Sequence, residues 1–411
     1  MSISVTPNDS LVHEDVDIVI SNLKGYQIYR VELRLKHPIG IYRSFAVFKT
    51  DVTGTIYVSD CSPIRGTYTG IRPMGLFESI EPTDSVRFGD YCKCTPPIPF
   101  EYELRVLDAQ QNLVCQTSFT KRLQHVLVER IDIEEPITGT LFKPPGDGPF
   151  PAIIDISGTG GGINEQKAAA LASRGFCTLS LAFFQYKNLP ETLTEVEVSY
   201  FEKAIQYMKS LPFTSQKLGF QGVSFGATLV VYLATRFPEI NAVVSINGTS
   251  SLDTFAHISE NGKPVEFSSL PENGKHLEFL NSTLVYKNCI LNVKETKESR
   301  MKLENTNPET AFRFLMALDD LSTPTVQVAN ILGNRLRALR RKVEVQFVPG
   351  GHLIDPPCFP AHPVVFAKIV GGFQAYGGET SLHGASQFNA WERTIEFFSK
   401  HLGKPQQLSK L

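Results

Sequence analysis

The residues with the clearest chemical potential lie around Ser224. The segment Gly222-Val-Ser-Phe-Gly226 has the form G-x-S-x-G, follows the apolar run Leu218–Gln221 and precedes a helical pattern that begins at Ala227. This setting is typical of a strained turn that exposes a serine hydroxyl at the end of a strand. The hydroxyl then lies at a helix N-terminus, where backbone amides stabilise negative charge. The motif predicts that Ser224 is a nucleophile.

A serine nucleophile needs a base, because its hydroxyl must lose a proton as it attacks. His352 follows the predicted strand Val343–Val348 through the turn Pro349-Gly-Gly351. It therefore lies in a loop at the carboxyl end of a strand, the same edge of the sheet as Ser224. His362 and His383 lie in loops rich in proline and glycine and are the alternatives.

The base must itself be oriented by an acid. In chains with this type of turn the order is nucleophile, acid, histidine, so the acid is expected after the preceding strand. The apolar run Phe312–Leu318 ends in Asp319 and Asp320, and either carboxylate can serve. The competing role for these residues is to cap the helix that follows. Asp355, just beyond His352, is a weaker candidate.

A carbonyl group under attack also needs hydrogen-bond donors for its developing negative oxygen. The first donor predicted is the backbone amide of Phe225. The second should come from the loop after the strand Ile153–Ile156, where Gly158, Thr159 and Gly160 are the candidates. Phosphate binding is the usual competing function of a glycine-rich loop, but the phosphate-loop and dinucleotide-binding patterns are both absent here.

Two regions with different sequence patterns must position these residues. Residues 1–121 carry short β-branched and aromatic runs separated by turn residues, which predicts an all-β, immunoglobulin-like sandwich. Residues 122–411 alternate apolar strands with helices, which predicts a mostly parallel sheet with helices on both faces, the α/β-hydrolase arrangement. The polar segment 249–308 interrupts that alternation and is predicted to be an insertion over the sheet.

Composition narrows the function classes. Forty basic and 42 acidic residues give a formal net charge of −2, which offers no field for binding nucleic acid. No apolar run is long enough to span a membrane, and no secretory signal opens the sequence. Seven scattered cysteines do not form a disulfide framework. Cys92-Lys-Cys94 lacks a second pair at zinc-like spacing, so we interpret it as a structural detail.

The last three residues, Ser409-Lys-Leu411, have the form of a peroxisomal targeting signal. A flexible polar stretch before them would leave the tripeptide accessible to an import receptor. We therefore expect a peroxisomal protein that binds this receptor, with the cytoplasm as the alternative location.

The chain also resembles a known family, the type I acyl-CoA thioesterases and the related bile acid-CoA:amino acid N-acyltransferases. The resemblance extends over nearly the whole chain, in motifs that keep their order and spacing: Pro73–Leu76, Gly139–Phe142, Gly148–Pro151, Gly158–Gly162, Leu189-Pro190, Tyr200–Glu202, Ile246–Gly248, Gly351–Ile354 with Pro356-Pro357, and Ala390-Trp391. It implies a β-sandwich followed by an α/β-hydrolase domain, with Ser224, Asp320 and His352 as nucleophile, acid and base.

The expected function is therefore hydrolysis of fatty acyl-CoA thioesters to free acid and coenzyme A, with no metal or redox cofactor. One alternative is transfer of the acyl group to glycine or taurine, which shares the acyl-enzyme and differs in the group that resolves it. A second alternative is a catalytically inactive binding module, against which the intact set of serine, acid and histidine argues.

Overall fold

The computed structural model describes residues 1–408, so the predicted targeting tripeptide Ser409–Leu411 lies outside the described residues. Residues 2–122 form two sheets, of three and seven strands, with orders β1-β3-β6 and β2-β10-β9-β4-β5-β7 plus β8 beside β5. Their strands are β1 Ser2–Thr6, β2 Asp9–Leu11, β3 Asp17–Ser21, β4 Ile28–His37, β5 Gly40–Lys49, β6 Ile56–Tyr57, β7 Arg65–Gly66, β8 Glu81–Pro82, β9 Phe100–Leu107 and β10 Leu113–Arg122, with the short helix α1 Gly75–Glu78 between β7 and β8.

Alternation of side chains explains why these sheets face each other. Val31, Leu33 and Leu35 on β4 point to one side of the larger sheet and are fully buried. Ile18 and Ile20 on β3 pack into the same apolar core from the smaller sheet. Successive residues of a strand point to opposite faces, so a run with every second residue apolar buries one face and exposes the other. The result is the predicted all-β sandwich.

Residues 129–348 form an eight-stranded sheet of order β11-β12-β14-β13-β15-β16-β21-β22. The edge pairs β11/β12 and β12/β14 are antiparallel, and the remaining pairs are parallel. The strands are β11 Glu129–Ile133, β12 Gly139–Lys143, β13 Phe150–Ile156, β14 Cys177–Leu181, β15 Thr214–Val223, β16 Ile240–Ile246, β21 Ala311–Ala317 and β22 Lys342–Val348. The predicted mostly parallel sheet is confirmed.

Helices cover both faces of this sheet, as near-continuous apolar strands require. On one face α2 and α7 pack against Ile153 and Val244, in a core that continues into the sandwich. On the other face α3, α4 and α6 pack against Val243 and Phe312. The helices are α2 Gln166–Ala172, α3 Val198–Ser210, α4 Phe225–Ala234, α6 Thr325–Ala338 and α7 Thr380–Leu402.

Helix α7 begins at Thr380. The Glu379 carboxylate accepts hydrogen bonds from the amides of Ser381 and Leu382 and so caps the helix. Gly384 lies inside the helix, although glycine is usually unfavourable there. A Cβ there would lie 2.1 Å from the carbonyl oxygen of Glu78, so glycine is required where the helix meets the sandwich.

Two segments cover the carboxyl ends of the parallel strands. Residues 249–308 contain a small hairpin, a second hairpin and a short helix, and residues 364–375 form a further hairpin that sequence did not predict. Strand β20 pairs with β24, so the two segments share one four-stranded sheet of order β19-β20-β24-β23. The elements are β17 Ser259–Glu260, β18 Lys263–Pro264, β19 Glu278–Leu280, β20 Thr283–Val285, α5 Lys287–Leu291, β23 Val364–Ala367 and β24 Gly372–Ala375, with 3₁₀ turns at Leu193–Glu195, Glu272–Gly274 and Leu303–Asn305.

The change from the sandwich to the large sheet lies between Arg122, the last residue of β10, and Glu129, the first of β11. The domain boundary at 121/122 stays a prediction. In residues 1–408, none of the helices combines the length and the apolar character needed to cross a bilayer.

Candidate active site

Ser224 occupies a strained turn between β15 and α4. Its backbone has φ 58° and ψ −126°, a region that costs a residue with a side chain about 1–3 kcal/mol. Crowding explains the two flanking glycines. A Cβ at Gly222 would lie 2.2 Å from the carbonyl oxygen of Gly226, and one at Gly226 would lie 2.3 Å from that of Ser157. The turn exposes the Ser224 side chain above the end of the sheet.

The structure brings Ser224, His352 and Asp320 into one chain of contacts. His352 Nε2 lies 2.8 Å from Ser224 Oγ, and His352 Nδ1 lies 2.8 Å from Asp320 Oδ2. The exposed fraction is 1% for His352 and 0% for Asp320, so water does not compete for the contact between ring and carboxylate. This is the geometry in which an imidazole can take a proton from a hydroxyl while a carboxylate fixes its tautomer.

Backbone amides decide which of the two aspartates faces the ring. Asp320 Oδ1 accepts hydrogen bonds from the amides of Ser322 at 2.7 Å and Thr323 at 2.8 Å, which turns Oδ2 toward His352. Asp319 instead accepts a hydrogen bond from the amide of Gly378 at 3.0 Å. Of the two aspartates, Asp320 is thus the one that contacts the His352 ring, and it contacts the turn before α6 and the histidine with separate oxygens.

Neighbouring loops hold the His352 backbone. The amide of His352 donates to the carbonyl of Tyr376 at 2.9 Å, and the Tyr376 ring packs 4.7 Å from the imidazole. Asn247 Nδ2 donates to the His352 carbonyl at 2.7 Å, while Asn247 Oδ1 accepts from the amide of Ala317 at 2.8 Å. Asn247 therefore links the loop that carries His352 to the end of β21, just before Asp320. The position of Asn247 after a strand end was the available sequence signal for this role, which we missed.

The alternative histidines have structural roles. His383 Nδ1 accepts the amide hydrogen of Gly351 at 3.0 Å and so helps to hold the loop before His352. His362 Nε2 accepts the amide hydrogen of Cys92 at 3.2 Å. Burial lowers the pKa of each ring to about 4, so both are neutral acceptors near neutral pH.

Asp355, the weaker acid candidate, is buried away from the His352 ring. It forms an ion pair with Lys167 and accepts a hydrogen bond from the Tyr91 hydroxyl at 2.9 Å. Although burial opposes its charge, the Lys167 ammonium and these hydrogen bonds hold the pKa of Asp355 below its usual value. Tyr91 belongs to the sandwich, so this pair joins the two halves of the chain.

The predicted oxyanion donors surround the serine. A Cβ at Gly158 would lie 2.9 Å from Ser224 Cβ and 3.4 Å from Oγ, which places this glycine directly against the Ser224 side chain. Thr159 and Phe225 line the same cavity as Ser224. Phe225 is the first residue of α4, and the first amides of a helix have no partner within the helix. Gly160 lies farther along the loop, in the wall of a second cavity.

Two cavities meet at Ser224. The smaller one extends beneath residues 249–308 and is lined by aromatic, aliphatic and hydroxyl side chains: Phe225, Thr228, Phe255, Ala256, Tyr286, Ile290, Ser322 and Val370, with Asp253. The other, of about 1040 Å³, lies between the glycine-rich loop and the sandwich and is lined by Tyr91, Lys93, Gly158–Gly161 and Lys368. Ser224, Thr159, Ile369 and Tyr376 belong to both.

Comparisons with known proteins agree over both halves of the chain. The profile described as acyl-CoA thioester hydrolase/BAAT N-terminal region matches residues 13–135, and the one described as BAAT/acyl-CoA thioester hydrolase C terminal matches residues 196–404. The chain belongs to this acyl-CoA thioester hydrolase/BAAT family. The resemblance found from sequence motifs is confirmed.

Individual relatives match over almost the full length. The peroxisomal succinyl-coenzyme A thioesterase of Mus musculus is 31% identical, across 98% of this chain and 97% of its own. Acyl-coenzyme A thioesterase 1 of Rattus norvegicus is 30% identical, across 95% and 94%, and that of Homo sapiens is 31% identical, across the same shares.

In this member of the thioester hydrolase/BAAT family the sandwich also contributes side chains to the larger cavity. Lys93 lies between two buried cysteines, and its side chain enters the larger cavity near Gly162. Desolvation, together with the charge of Lys368, lowers the pKa of Lys93. Lys93 and Lys368 thus line one cavity together with Lys167, which is paired with Asp355, and this arrangement favours an anionic ligand.

Proposed function

We propose that the protein is an acyl-CoA thioesterase that works through an acyl-enzyme on Ser224. The observation that carries the proposal is the contact chain Ser224–His352–Asp320, 2.8 Å at each step, where two cavities meet. Family membership supplies the substrate class, because relatives of nearly equal length are named acyl-coenzyme A thioesterases.

In the first half-reaction Ser224 Oγ forms a bond to the thioester carbonyl carbon while His352 Nε2 takes the hydroxyl proton. Asp320 stabilises the resulting imidazolium. The amides of Phe225 and of the loop at Gly158 or Thr159 donate to the negative oxygen of the tetrahedral intermediate. When that intermediate collapses, the carbon–sulfur bond breaks and the imidazolium proton goes to the coenzyme A sulfur.

In the second half-reaction water takes the place of coenzyme A. His352 Nε2 accepts a proton from water as its oxygen bonds to the carbonyl carbon, and the proton then returns to Ser224 Oγ as the acid leaves. The serine is regenerated, and the products are a free carboxylic acid and coenzyme A.

We assign the acyl chain to the smaller cavity. Its described lining contains no lysine or arginine, and Asp253 is its one carboxylate among those residues. Desolvation raises the pKa of Asp253 to about 6, against the effect of hydrogen bonds from the amides of Phe255 and Ala256, so the group is ionised at neutral pH. An acyl chain with a terminal carboxylate would meet this charge. We therefore infer a preference for uncharged acyl chains over the dicarboxylyl class that includes succinyl-CoA.

We assign the coenzyme A half to the larger cavity. Its phosphates require cations, and Lys93 and Lys368 supply them next to the glycine-rich loop. The substrate would then extend across Ser224, with its coenzyme A half beside the sandwich and its acyl chain under residues 249–308.

The test is a thiol-release assay with acyl-CoAs of graded chain length and with succinyl-CoA, each with and without glycine or taurine, and with products identified by mass spectrometry. We expect free acid as the main product and the highest kcat/KM on uncharged chains. The matched control is Ser224→Ala, which keeps the cavities and removes the nucleophile. Predominant N-acyl amino acid would favour the transferase alternative. Lack of both turnover and labelling of Ser224 by a serine-directed phosphonate would favour an inactive binding module.

We also propose import into peroxisomes through Ser409–Leu411. A relative of nearly full length is named as peroxisomal, although others are named as mitochondrial. A fluorescent reporter joined ahead of the last ten residues should enter peroxisomes, and the same reporter with Leu411 deleted should stay in the cytosol. Equal distribution of the two reporters would contradict the proposal.

A further inference from the structure

The sandwich contains a group of metal-ligating side chains that the proposed reaction does not use. His37 ends strand β4, and Cys92 and Cys94 lie in the loop between β8 and β9. One donor atom from each residue lies within 4.8 Å of the other two. Both thiols are buried, with exposed fractions of 0% for Cys92 and 1% for Cys94. We propose that these three residues bind one metal ion, either zinc or another ion that prefers thiolate ligands.

The spacing of the donors fits such an ion. Zinc bonds of about 2.3 Å to sulfur and about 2.0 Å to nitrogen, at tetrahedral angles, place a sulfur and a nitrogen ligand about 3.6 Å apart. Cys94 Sγ lies 3.8 Å from His37 Nε2. That distance is close to the separation that a shared metal would impose. The other two donor separations are at most 4.8 Å, against about 3.8 Å for two sulfur ligands on one tetrahedral zinc, so the three side chains can converge on an ion with shifts of up to about 1 Å.

The chemistry of the donors selects the class of metal. Two thiolates and an imidazole suit zinc and other soft or borderline ions, whereas magnesium and calcium require oxygen ligands. Two negative thiolates in a buried place also need a compensating cation. With three protein ligands, the fourth tetrahedral position is left for water or another small ligand.

The protein holds the ligands in place before any ion binds. The amide of Cys92 donates to His362 Nε2 at 3.2 Å, and His362 packs its ring against Tyr42 and Tyr91. His37 is fixed at the end of a ten-residue strand. Metal binding at Nε2 places the ring proton on Nδ1, so the long 3.4 Å contact from the amide of Ile39 to Nδ1 is given up. The two thiol protons go to solvent.

The site would join β4 to the loop that carries Lys93. Lys93 stands between the two cysteines and enters the larger cavity beside Ser224. A bound ion would therefore fix one wall of that cavity from behind. This consequence uses only the geometry of the loop, and the metal site does not depend on the proposed hydrolysis.

The experiment uses the full chain, reduced with a phosphine, freed of metal with a chelator and then separated from it. Zinc is titrated in competition with a chromophoric chelator, and cobalt is used in parallel, because thiolate ligation gives cobalt charge-transfer bands in the near ultraviolet. We expect one ion per chain. Loss of an outer partner of a metal ligand costs about 10–100-fold in affinity, so Cys92→Ser, Cys94→Ser and His37→Gln should each weaken binding by at least about 100-fold.

The matched controls are Cys61→Ser and Cys115→Ser, which change half-buried thiols elsewhere in the same sandwich and should leave the affinity unchanged. Circular dichroism checks that each variant is folded. His37→Gln keeps this comparison informative if a cysteine variant does not fold, because His37 is half-buried. Wild-type protein that binds zinc no more tightly than the Cys92→Ser/Cys94→Ser double variant would overturn the proposal, as would cobalt bands that persist in that variant.

Discussion

Substitution of Asp320 by asparagine tests the proposed mechanism at its most specific point. Two amides, from Ser322 at 2.7 Å and Thr323 at 2.8 Å, donate to Asp320 Oδ1. An asparagine should therefore keep its carbonyl oxygen at that position and turn its NH₂ group toward His352 Nδ1. The ring must then accept at Nδ1 and carry its proton on Nε2. That proton faces Ser224 Oγ at 2.8 Å, so the base can no longer accept the serine proton.

The size of the loss follows from this wrong tautomer. The corresponding change in serine proteases lowers kcat by about 10⁴-fold. We expect a loss of about 10³–10⁴-fold here, equal to about 4–5.5 kcal/mol of transition-state stabilisation at 1.36 kcal/mol per tenfold. KM should change little, because Asp320 is fully buried and does not line either cavity.

The assay is thiol release under saturating acyl-CoA, with thermal unfolding to verify the fold. Asp319→Asn is the matched control, since Asp319 Oδ2 accepts a hydrogen bond from the amide of Gly378 in an exposed position. It should retain kcat within about threefold, as expected for a surface contact. An Asp320→Asn enzyme with more than a tenth of wild-type kcat would refute the reasoning. So would an equal loss in both variants.

Three further predictions concern the fate of the acyl group and the two halves of the substrate. Ser224→Cys should lower hydrolysis and raise the share of amide formed with glycine or taurine, because a thioester acyl-enzyme is more readily attacked by an amine than an oxygen ester; product ratios by mass spectrometry check this, and an unchanged ratio would contradict it. Lys93→Ala should raise KM about fivefold with kcat nearly constant, because it removes ~1 kcal/mol of binding from a solvent-exposed phosphate contact. The control Lys36→Ala, on the exposed face of β4, should leave KM and kcat unchanged. Preference for hexanoyl-CoA over succinyl-CoA should increase as pH rises through about 6, because the raised pKa of Asp253 leaves it neutral below that pH and charged above it; Asp253→Asn should abolish this pH dependence, and a preference that stays pH-dependent in the variant would contradict the assignment.

Local chemistry explains how much could be predicted from sequence. The two glycines around Ser224 are needed because a Cβ at either would collide with nearby backbone, and that requirement is visible in the motif itself. The apolar runs of β13, β15 and β16 are buried on both faces, so their lack of alternation predicted a covered parallel sheet. The family resemblance rests on the same local motifs, and the matching profiles confirm it.

The glycine inside α7 and the short strands were harder to predict, because distant contacts determine them. Gly384 is inside α7 since the helix must approach Glu78 of the sandwich, a residue about 300 positions away in sequence. The strands β23 and β24 form because β24 pairs with β20 from the preceding segment. Neither the approach of α7 to Glu78 nor the pairing of β24 with β20 can be recognised from the residues of α7, β23 and β24 alone.

The sequence by itself determined the nucleophile turn, the order of the candidate triad and the two types of sheet, since each depends on the chemistry of neighbouring residues. Only the tertiary structure shows that Asp320 rather than Asp319 faces the His352 ring, because two amides of the following turn hold the other oxygen of Asp320. The tertiary structure also brought Lys93 of the sandwich to the cavity beside Ser224, and His37 to Cys94 across 57 residues of sequence. Such contacts depend on how layers pack against each other, which no local pattern of residues encodes.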